Sequence, residues 1–154
     1  MEAAKPQKEH EWLHQLVGEW SFEMPGMDGS KHVGTETVRS IGGLWVQGEG
    51  HGSMPDGQPT ITMLTLGYDP EKSKFVGTWV GSMMTILWVY EGSLDGNVLT
   101  LETRGPSFTK PGEMGKYREV IKLVTPDHRE FTSAYLGDDG EWHQFMKADY
   151  RRTR

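Results

Sequence analysis

Cysteine is absent from the 154 residues, so the chain has neither a disulfide framework nor thiolate chemistry. Positive charge is in deficit: 16 Lys and Arg against 22 Asp and Glu give a formal net charge of −6. That balance argues against binding to duplex nucleic acid and against a cationic membrane anchor. No apolar run approaches the roughly 20 residues of a membrane-spanning helix, and residues 1–6 lack the apolar core of a signal peptide. We therefore expect a cytoplasmic protein with no nucleic-acid or membrane partner.

Motifs for cofactor, metal and covalent chemistry are also missing. The six His residues lack the spacing of a zinc site. The alternating glycines of residues 48–52 lie inside a strand pattern and lack the third glycine of a dinucleotide-binding loop. Ser82 lacks the two flanking glycines of a nucleophile elbow. We predict no cofactor, no metal ligand and no catalytic residue.

The chain begins with a helical pattern and continues with strand patterns. An apolar stripe that includes Trp12 and Leu16 predicts a short helix over residues 6–17, ended by Gly18. Beyond Gly18, apolar and polar residues alternate with period two, which is typical of half-buried strands. The predicted strands lie at about 19–24, 33–41, 44–52, 60–68, 75–81, 85–94, 98–103, 116–124, 130–136 and 141–150.

Short strands at this spacing are typical of a β-barrel or a β-sandwich. Because nearly every connection is of hairpin length, we predict an all-β fold: an antiparallel up-and-down barrel of about ten strands with one short N-terminal helix. Residues 1–154 would form a single domain, with the barrel over about 19–150. A barrel of this size can hold one small ligand. Residues 105–115, which contain Pro106 and Pro111, have no pattern and are predicted to be a mobile loop.

The step Gly18-Glu19-Trp20, directly after a short helix, resembles the Gly-x-Trp signature of lipocalins and their calycin relatives. In those proteins the Trp closes one end of the barrel, often under an Arg from near the last strand. The resemblance implies that role for Arg151 or Arg152 here.

Longer runs carry a second resemblance. Residues 34–40, 66–70, 75–79 and 88–94 are similar to a bacterial domain-of-unknown-function family with a lipocalin-like barrel. The similarity spans about residues 5–150. It implies the fold and implies no activity.

Alternation assigns aromatic side chains to the inside of the barrel. Among them are Trp79, Trp88 and Tyr90, and also Trp142 on the last strand. These rings either fill the barrel as core or border an apolar ligand cavity.

Three strands place polar residues on the face that alternation assigns to the interior. Arg39, Glu49 and Glu119 are the charged members, and Trp45 shares a face with Glu49. A carboxylate in an apolar barrel must be paired, hydrogen-bonded or protonated. Three interpretations stay open: a structural ion pair, a polar pole that fixes a ligand head group, or a shifted register that leaves these residues in water. The candidate ligand-binding residues are therefore Arg39, Trp45, Glu49, Trp79, Trp88, Tyr90 and Glu119.

The fourth to sixth predicted strands are apolar on both faces, for example Val80 opposite Trp79 and Val89 opposite Trp88. A free barrel wall should be polar outside. Either the N-terminal helix or a second subunit is expected to cover this wall, and we predict a homodimer.

Three functions are compatible with the sequence. The favoured one is a binding protein for a small, mainly apolar or amphipathic molecule, with a polar or anionic end near Arg39. The second is a structural or interaction module whose barrel is filled and whose outer wall is the working surface. The third is an enzyme with Glu49 and Glu119 as acid and base.

Overall fold

The computed structural model describes residues 1–26 and 28–154. Within them, one helix precedes ten strands that follow one another along the chain. The helix α1 spans Lys8–His14, and the strands are β1 (Gly18–Pro25), β2 (Lys31–Ile41), β3 (Trp45–Ser53), β4 (Pro59–Asp69), β5 (Lys74–Gly81), β6 (Trp88–Asp95), β7 (Val98–Pro106), β8 (Met114–Thr125), β9 (His128–Leu136) and β10 (Trp142–Arg152).

The strands form a closed antiparallel barrel. Each strand pairs with the next one in the chain, and β1 also pairs with β10, where Trp20 lies opposite Arg152 and Glu23 opposite Asp149. Closure satisfies every strand edge within the sheet, so no edge is left to pair with another chain. The predicted all-β up-and-down barrel with one short N-terminal helix is confirmed.

Helix α1 is shorter than the predicted range of residues 6–17. Residues 15–17 donate their backbone N–H groups to carbonyls three positions earlier, so the last turn is tighter than an α-helix. The apolar stripe continues through this turn, which is why the pattern predicted a longer helix. Among the described residues, no helix combines the length and apolar character needed to span a lipid bilayer.

The helix plugs one end of the barrel. Trp12 packs edge-on against Phe75, with 6.4 Å between the ring centroids, and Leu16 is buried beneath it in the core. His10 is also buried, and its Nε2 atom lies 3.1 Å from the carbonyl oxygen of Tyr68 on β4. On the other side, His14 Nε2 lies 2.7 Å from Ser40 Oγ on β2, so apolar burial and polar contacts together fix the helix over the barrel end.

Arg152 joins the last strand to this plugged end. Its guanidinium group lies 4.3 Å from the centroid of the buried Trp20 ring and donates to the carbonyl oxygens of Gln15 and Val17, each at 2.7 Å. Gly18 has φ +142°, and a Cβ atom there would come within 2.3 Å of the guanidinium, so the contact requires glycine. Of the two arginines that the resemblance suggested, Arg152 lies over the tryptophan.

The outer wall of β4–β6 remains uncovered within the chain, because α1 lies at the barrel end. The exposed apolar side chains of this wall are between 42% and 58% accessible, and they are Ile61, Val80, Leu87 and Val89. The sequence predicted that either the N-terminal helix or a second subunit covers this wall. The helix does not cover these four residues.

The contacts of Arg152 predict a large loss of stability on truncation. Arg152→Ala should lower the free energy of unfolding by about 3 kcal/mol, because two carbonyls of the turn that follows α1 lose a charged donor and Trp20 loses its cover. Arg151→Ala, at the exposed neighbouring position, is the matched control and should change it by less than about 0.5 kcal/mol. Urea titration followed by tryptophan fluorescence measures both, and equal losses would contradict the assigned role.

Candidate functional site

The barrel is hollow between the helix plug and the opposite end. The cavity has a volume of about 450 Å³. Leu16 forms part of its floor, and the loops at the far end contribute Met54, Met83, Met84 and Phe108. Methionine side chains are flexible and polarisable, so this end of the cavity can adapt to different shapes. The apolar wall between the two ends includes Phe22, Val38, Leu64, Leu66, Ile121 and Phe131.

Four of the seven predicted site residues line this cavity: Trp79, Trp88, Tyr90 and Glu119. They lie on β5, β6 and β8, where the alternation of buried and accessible residues follows the predicted faces. Their inward orientation is as predicted, and their role in ligand binding stays a prediction.

The predicted inward orientation of Arg39, Trp45 and Glu49 is wrong. Arg39 is exposed and donates to Gln47 on the outer surface at 2.9 Å. Trp45 is 40% accessible, and Glu49 lies 2.7 Å from His51 on the same outer face. On β2 and β3 the opposite set of residues points inward.

Glycines form the inward face of β3, which explains the error. A Cβ atom at Gly48 would lie 2.7 Å from the carboxylate of Glu36, and one at Gly50 would lie 2.4 Å from the hydroxyl of Thr62. The alternating glycines therefore make room for side chains of β2 and β4. The sequence shows that one face of this strand carries glycines at every second position. Alternation placed that face outside, whereas it lies inside the barrel.

The ion pair inside the barrel joins Glu36 of β2 to Arg129 of β9. Both side chains are almost fully buried, at 8% and 7% accessibility. Arg129 lies 4.2 Å from the ring centroid of Tyr150 and 4.6 Å from that of Trp20. An internal carboxylate–arginine pair was among the open interpretations, but Arg39, Glu49 and Glu119 do not form it.

Sequence reasoning missed Arg129 because the predicted strand starts at residue 130. In the structure β9 begins at His128. A usable signal was present, because Arg129 lies two and four residues before Phe131 and Ser133, which line the cavity, and alternation places all three on one face.

Glu119 is the other carboxyl group in the cavity. It accepts a hydrogen bond from Ser133 on the adjacent strand β9. Burial raises the pKa of Glu119 to about 7, against a smaller lowering by the Ser133 hydroxyl. Burial, and secondarily the charge of Glu119, raise the pKa of Tyr90, which therefore stays neutral. Glu119, with a pKa of about 7, can therefore change its protonation state near neutral pH.

An aromatic cluster forms one side of the cavity at the end opposite the helix. Tyr117 lies edge-on to Trp88 at 5.3 Å and to Phe108 at 5.1 Å, and Phe108 contacts Phe145 at 5.1 Å. Trp88 packs against the backbone of Gly105, where a Cβ atom would come within 2.1 Å of the ring.

The connection between β7 and β8 is shorter than the predicted loop at 105–115. Strand β7 continues to Pro106 and β8 begins at Met114. Tyr117 supports the turn by donating to the Pro106 carbonyl at 2.6 Å. Phe108 was missed because it lies in this stretch without a pattern.

The predicted orientation of one further aromatic residue is wrong because of a register shift in β10. The pairing with β9 slips between Gln144 and Met146, so the inward parity changes along the strand. Met146 and Tyr150, which follow the shift, face the cavity. Trp142, predicted to face inward, instead contacts Arg118, 4.1 Å from its ring centroid.

One group of potential metal ligands occurs among the described residues, and it lies apart from the cavity. His128, Glu130 and Asp149 have ligand atoms within 4.8 Å of one another. His128 already bonds Asp149 at 2.9 Å, and Lys147 lies 3.7 Å from Glu130. These contacts already engage the three side chains without a metal ion.

Comparison with known proteins gives one family and several similar folds. The model of a family described as "Protein of unknown function (DUF1579)" matches residues 5–152. No curated protein matches the chain.

Among solved structures, Rv2717c from M. tuberculosis is similar with a TM-score of 0.59 and 14% identity, over 97% of this chain and 100% of that one. The S-type phycobiliprotein lyase CPES from Guillardia theta has a TM-score of 0.55 and 14% identity, over 97% and 99% of the two chains. EF1p2_mFAP2b, solved bound to DFHBI, has a TM-score of 0.52 and 15% identity, over 94% and 98%. At these identities the likeness concerns the fold.

The burial of Glu119 predicts an unusual dependence of stability on pH. Because its pKa in the folded state (about 7) exceeds the ordinary value of 4.5, the folded chain keeps a proton that the unfolded chain releases between these values. The contribution of Glu119 to the free energy of unfolding is complete below pH 4.5 and is lost as the pH rises through 7. Glu119→Gln should therefore gain stability over the wild type with rising pH, by up to about 3 kcal/mol at pH 8.

Chemical denaturation at pH 5, 6, 7 and 8 measures this difference. Glu102→Gln removes an exposed carboxylate from the outer side of β7 and is the control. Its difference from the wild type should stay within about 0.5 kcal/mol over the same range. Parallel pH profiles for Glu119→Gln and the wild type would contradict the assignment.

Proposed function

The chain belongs to the DUF1579 family, and we propose that it is a binding protein that holds a small, mainly apolar molecule inside its barrel. The observation that carries the proposal is the cavity of about 450 Å³. Small-molecule sites commonly span about 300–1,000 Å³ and combine apolar walls with a few placed polar groups. Here the polar groups are Glu119 with Ser133, and Glu36 with Arg129.

Similarly folded proteins are compatible with this proposal. EF1p2_mFAP2b was solved bound to DFHBI, and the Guillardia theta protein is described as a phycobiliprotein lyase. The position of Trp20 under Arg152 also supports a calycin-type, lipocalin-like barrel. We further propose that residues 1–154 act as one domain in the cytoplasm.

The cavity supports a hydrogen-bonding end of the ligand rather than an anionic one. Arg39, the predicted anchor for an anion, lies on the outer surface. Arg129 is inside, but Glu36 neutralises it. An anionic head group would thus enter an apolar space without a free positive charge, which is costly.

The two alternative functions receive less support. A filled barrel is incompatible with the open volume. An acid–base pair of Glu49 and Glu119 would need both groups at one substrate, yet Glu49 faces outward and Glu119 faces the cavity.

Binding can be tested with N-phenyl-1-naphthylamine, an uncharged fluorescent probe. The wild type should bind one probe per chain with enhanced probe fluorescence and quenched tryptophan emission. Trp88→Ala should weaken binding roughly tenfold, because a large ring is removed from the cavity wall.

Trp142→Ala is the matched control, since this ring contacts Arg118 outside the cavity. It should leave the affinity within about twofold of the wild type, a free-energy difference within ordinary surface effects. Absence of probe binding, or equal weakening by both variants, would contradict a ligand cavity at this place.

The homodimer stays a prediction that the apolar outer wall of β4–β6 supports. Light scattering should give twice the chain mass, and Leu87→Lys with Val89→Lys should give a monomer, because both residues are exposed on this wall. Ile41→Lys, an equally polar change at an exposed site on β2, should remain dimeric. A wild-type protein that stays monomeric at high concentration would contradict the prediction.

A further inference from the structure

The charges that line the cavity do not cancel. Among the described lining residues, the ionisable groups other than tyrosines are His32, Glu36, Glu119 and Arg129. Glu36 and Arg129 form a buried pair with each other. His32 lies at the far end, beside Ser30 and Gly26 of the β1–β2 turn. Glu119 therefore remains as an acidic group with no basic partner inside the barrel.

The described residues that face Glu119 from the neighbouring strands carry no unpaired positive charge, since Arg129 of β9 is paired with Glu36. On β7 its paired residue is Leu101, and on β9 it is Ser133. Tyr90 faces it from β6, and Tyr117 precedes it on the same face of β8. Each of these groups is apolar or neutral, and Ser133 supplies its only hydrogen bond from the described residues. The Ser133 hydroxyl stabilises the charged form of Glu119 only in part, and a cation placed beside the carboxylate would stabilise it further.

Aromatic rings near Glu119 suit such a cation. Trp88 and Tyr117 meet edge-on at 5.3 Å, and Tyr90 lines the cavity beside them. The faces of these rings attract ammonium groups, most strongly where water is excluded. The flexible methionines at the far end accommodate an apolar body.

We infer that the cavity selects lipophilic amines, with Glu119 as the counter-ion of the ligand's ammonium group. The inference rests on the proposed binding function and names its ligand class. When a protonated amine enters, the carboxyl O–H bond of Glu119 breaks, the proton leaves to solvent, and the carboxylate pairs with the ammonium. A carboxylic acid of the same size would instead place a second negative charge beside Glu119. An alcohol could form a hydrogen bond without a charge.

The test uses three ligands that differ only in the end group: octylamine, octanol and octanoic acid. Each displaces N-phenyl-1-naphthylamine from the wild type, Glu119→Gln and Glu102→Gln at pH 6 and pH 8. At pH 8 the wild type should bind the amine tightest and the acid weakest. Glu119→Gln should lose roughly tenfold to hundredfold in amine affinity, as expected for a charged hydrogen bond, and less than about threefold for the alcohol. Glu102→Gln should match the wild type.

Proton linkage gives a second readout that needs no variant. Wild-type affinity for octylamine should rise roughly tenfold from pH 6 to pH 8, because Glu119 must lose its proton to pair. Calorimetry at pH 6 in two buffers of different ionisation enthalpy should show release of close to one proton per amine bound. Ser133→Ala removes a hydrogen bond that lowers the pKa of Glu119, so the midpoint of this rise should move to higher pH.

The outcomes separate the inference from the proposed function. If the naphthylamine probe does not bind the wild type, the binding function itself fails. If the probe binds but the acid is the tightest ligand, the cavity does not select cations. Amine affinity that is independent of pH and unchanged in Glu119→Gln would overturn the role of Glu119. Tightest binding of the alcohol at pH 6, lost in Glu119→Gln, would show a neutral carboxyl group as the recognition element and would also overturn the inference.

Discussion

The pairing of β1 with β10 is the constraint on which the rest of the structure depends. It converts a meander of ten strands into a closed barrel and leaves no free edge. The same junction brings Trp20 under Arg152, and Arg152 in turn holds the last turn of the helix through its carbonyl oxygens. One end of the barrel is thereby sealed by side chains of β1, β10 and α1. The cavity above this seal is the feature on which the proposed binding function rests.

The two carboxyl groups inside the cavity have different partners. Glu36 is neutralised by Arg129, whose guanidinium also rests against Trp20 and Tyr150, so this pair belongs to the sealed end. Among the residues that the structure describes, Glu119 has one hydroxyl donor and no cationic partner, and burial raises its pKa to about 7. A fully structural carboxylate would be expected to have a basic partner. This contrast is the reason we propose Glu119 as the group that distinguishes ligands by charge.

Period-two alternation was sufficient to predict the fold, and it also predicted the faces of the strands that carry Trp79, Trp88 and Glu119. It failed on β2 and β3, because the inward residues there depend on distant partners. Glu36 is inside because Arg129, 93 residues later, neutralises it. The inward glycines of β3 are explained by neighbours such as Thr62 that occupy their space. Neither relation leaves a local pattern. The slip in β10 that turns Trp142 outward is likewise a property of strand pairing.

Native mass spectrometry of the protein purified from its own host tests the central claim most directly. The account predicts a one-to-one complex with a molecule small enough for a cavity of about 450 Å³, released on denaturation and basic in character. A co-purified acid, or a bare chain whose cavity proves to be closed by its own side chains in a crystal structure, would contradict it.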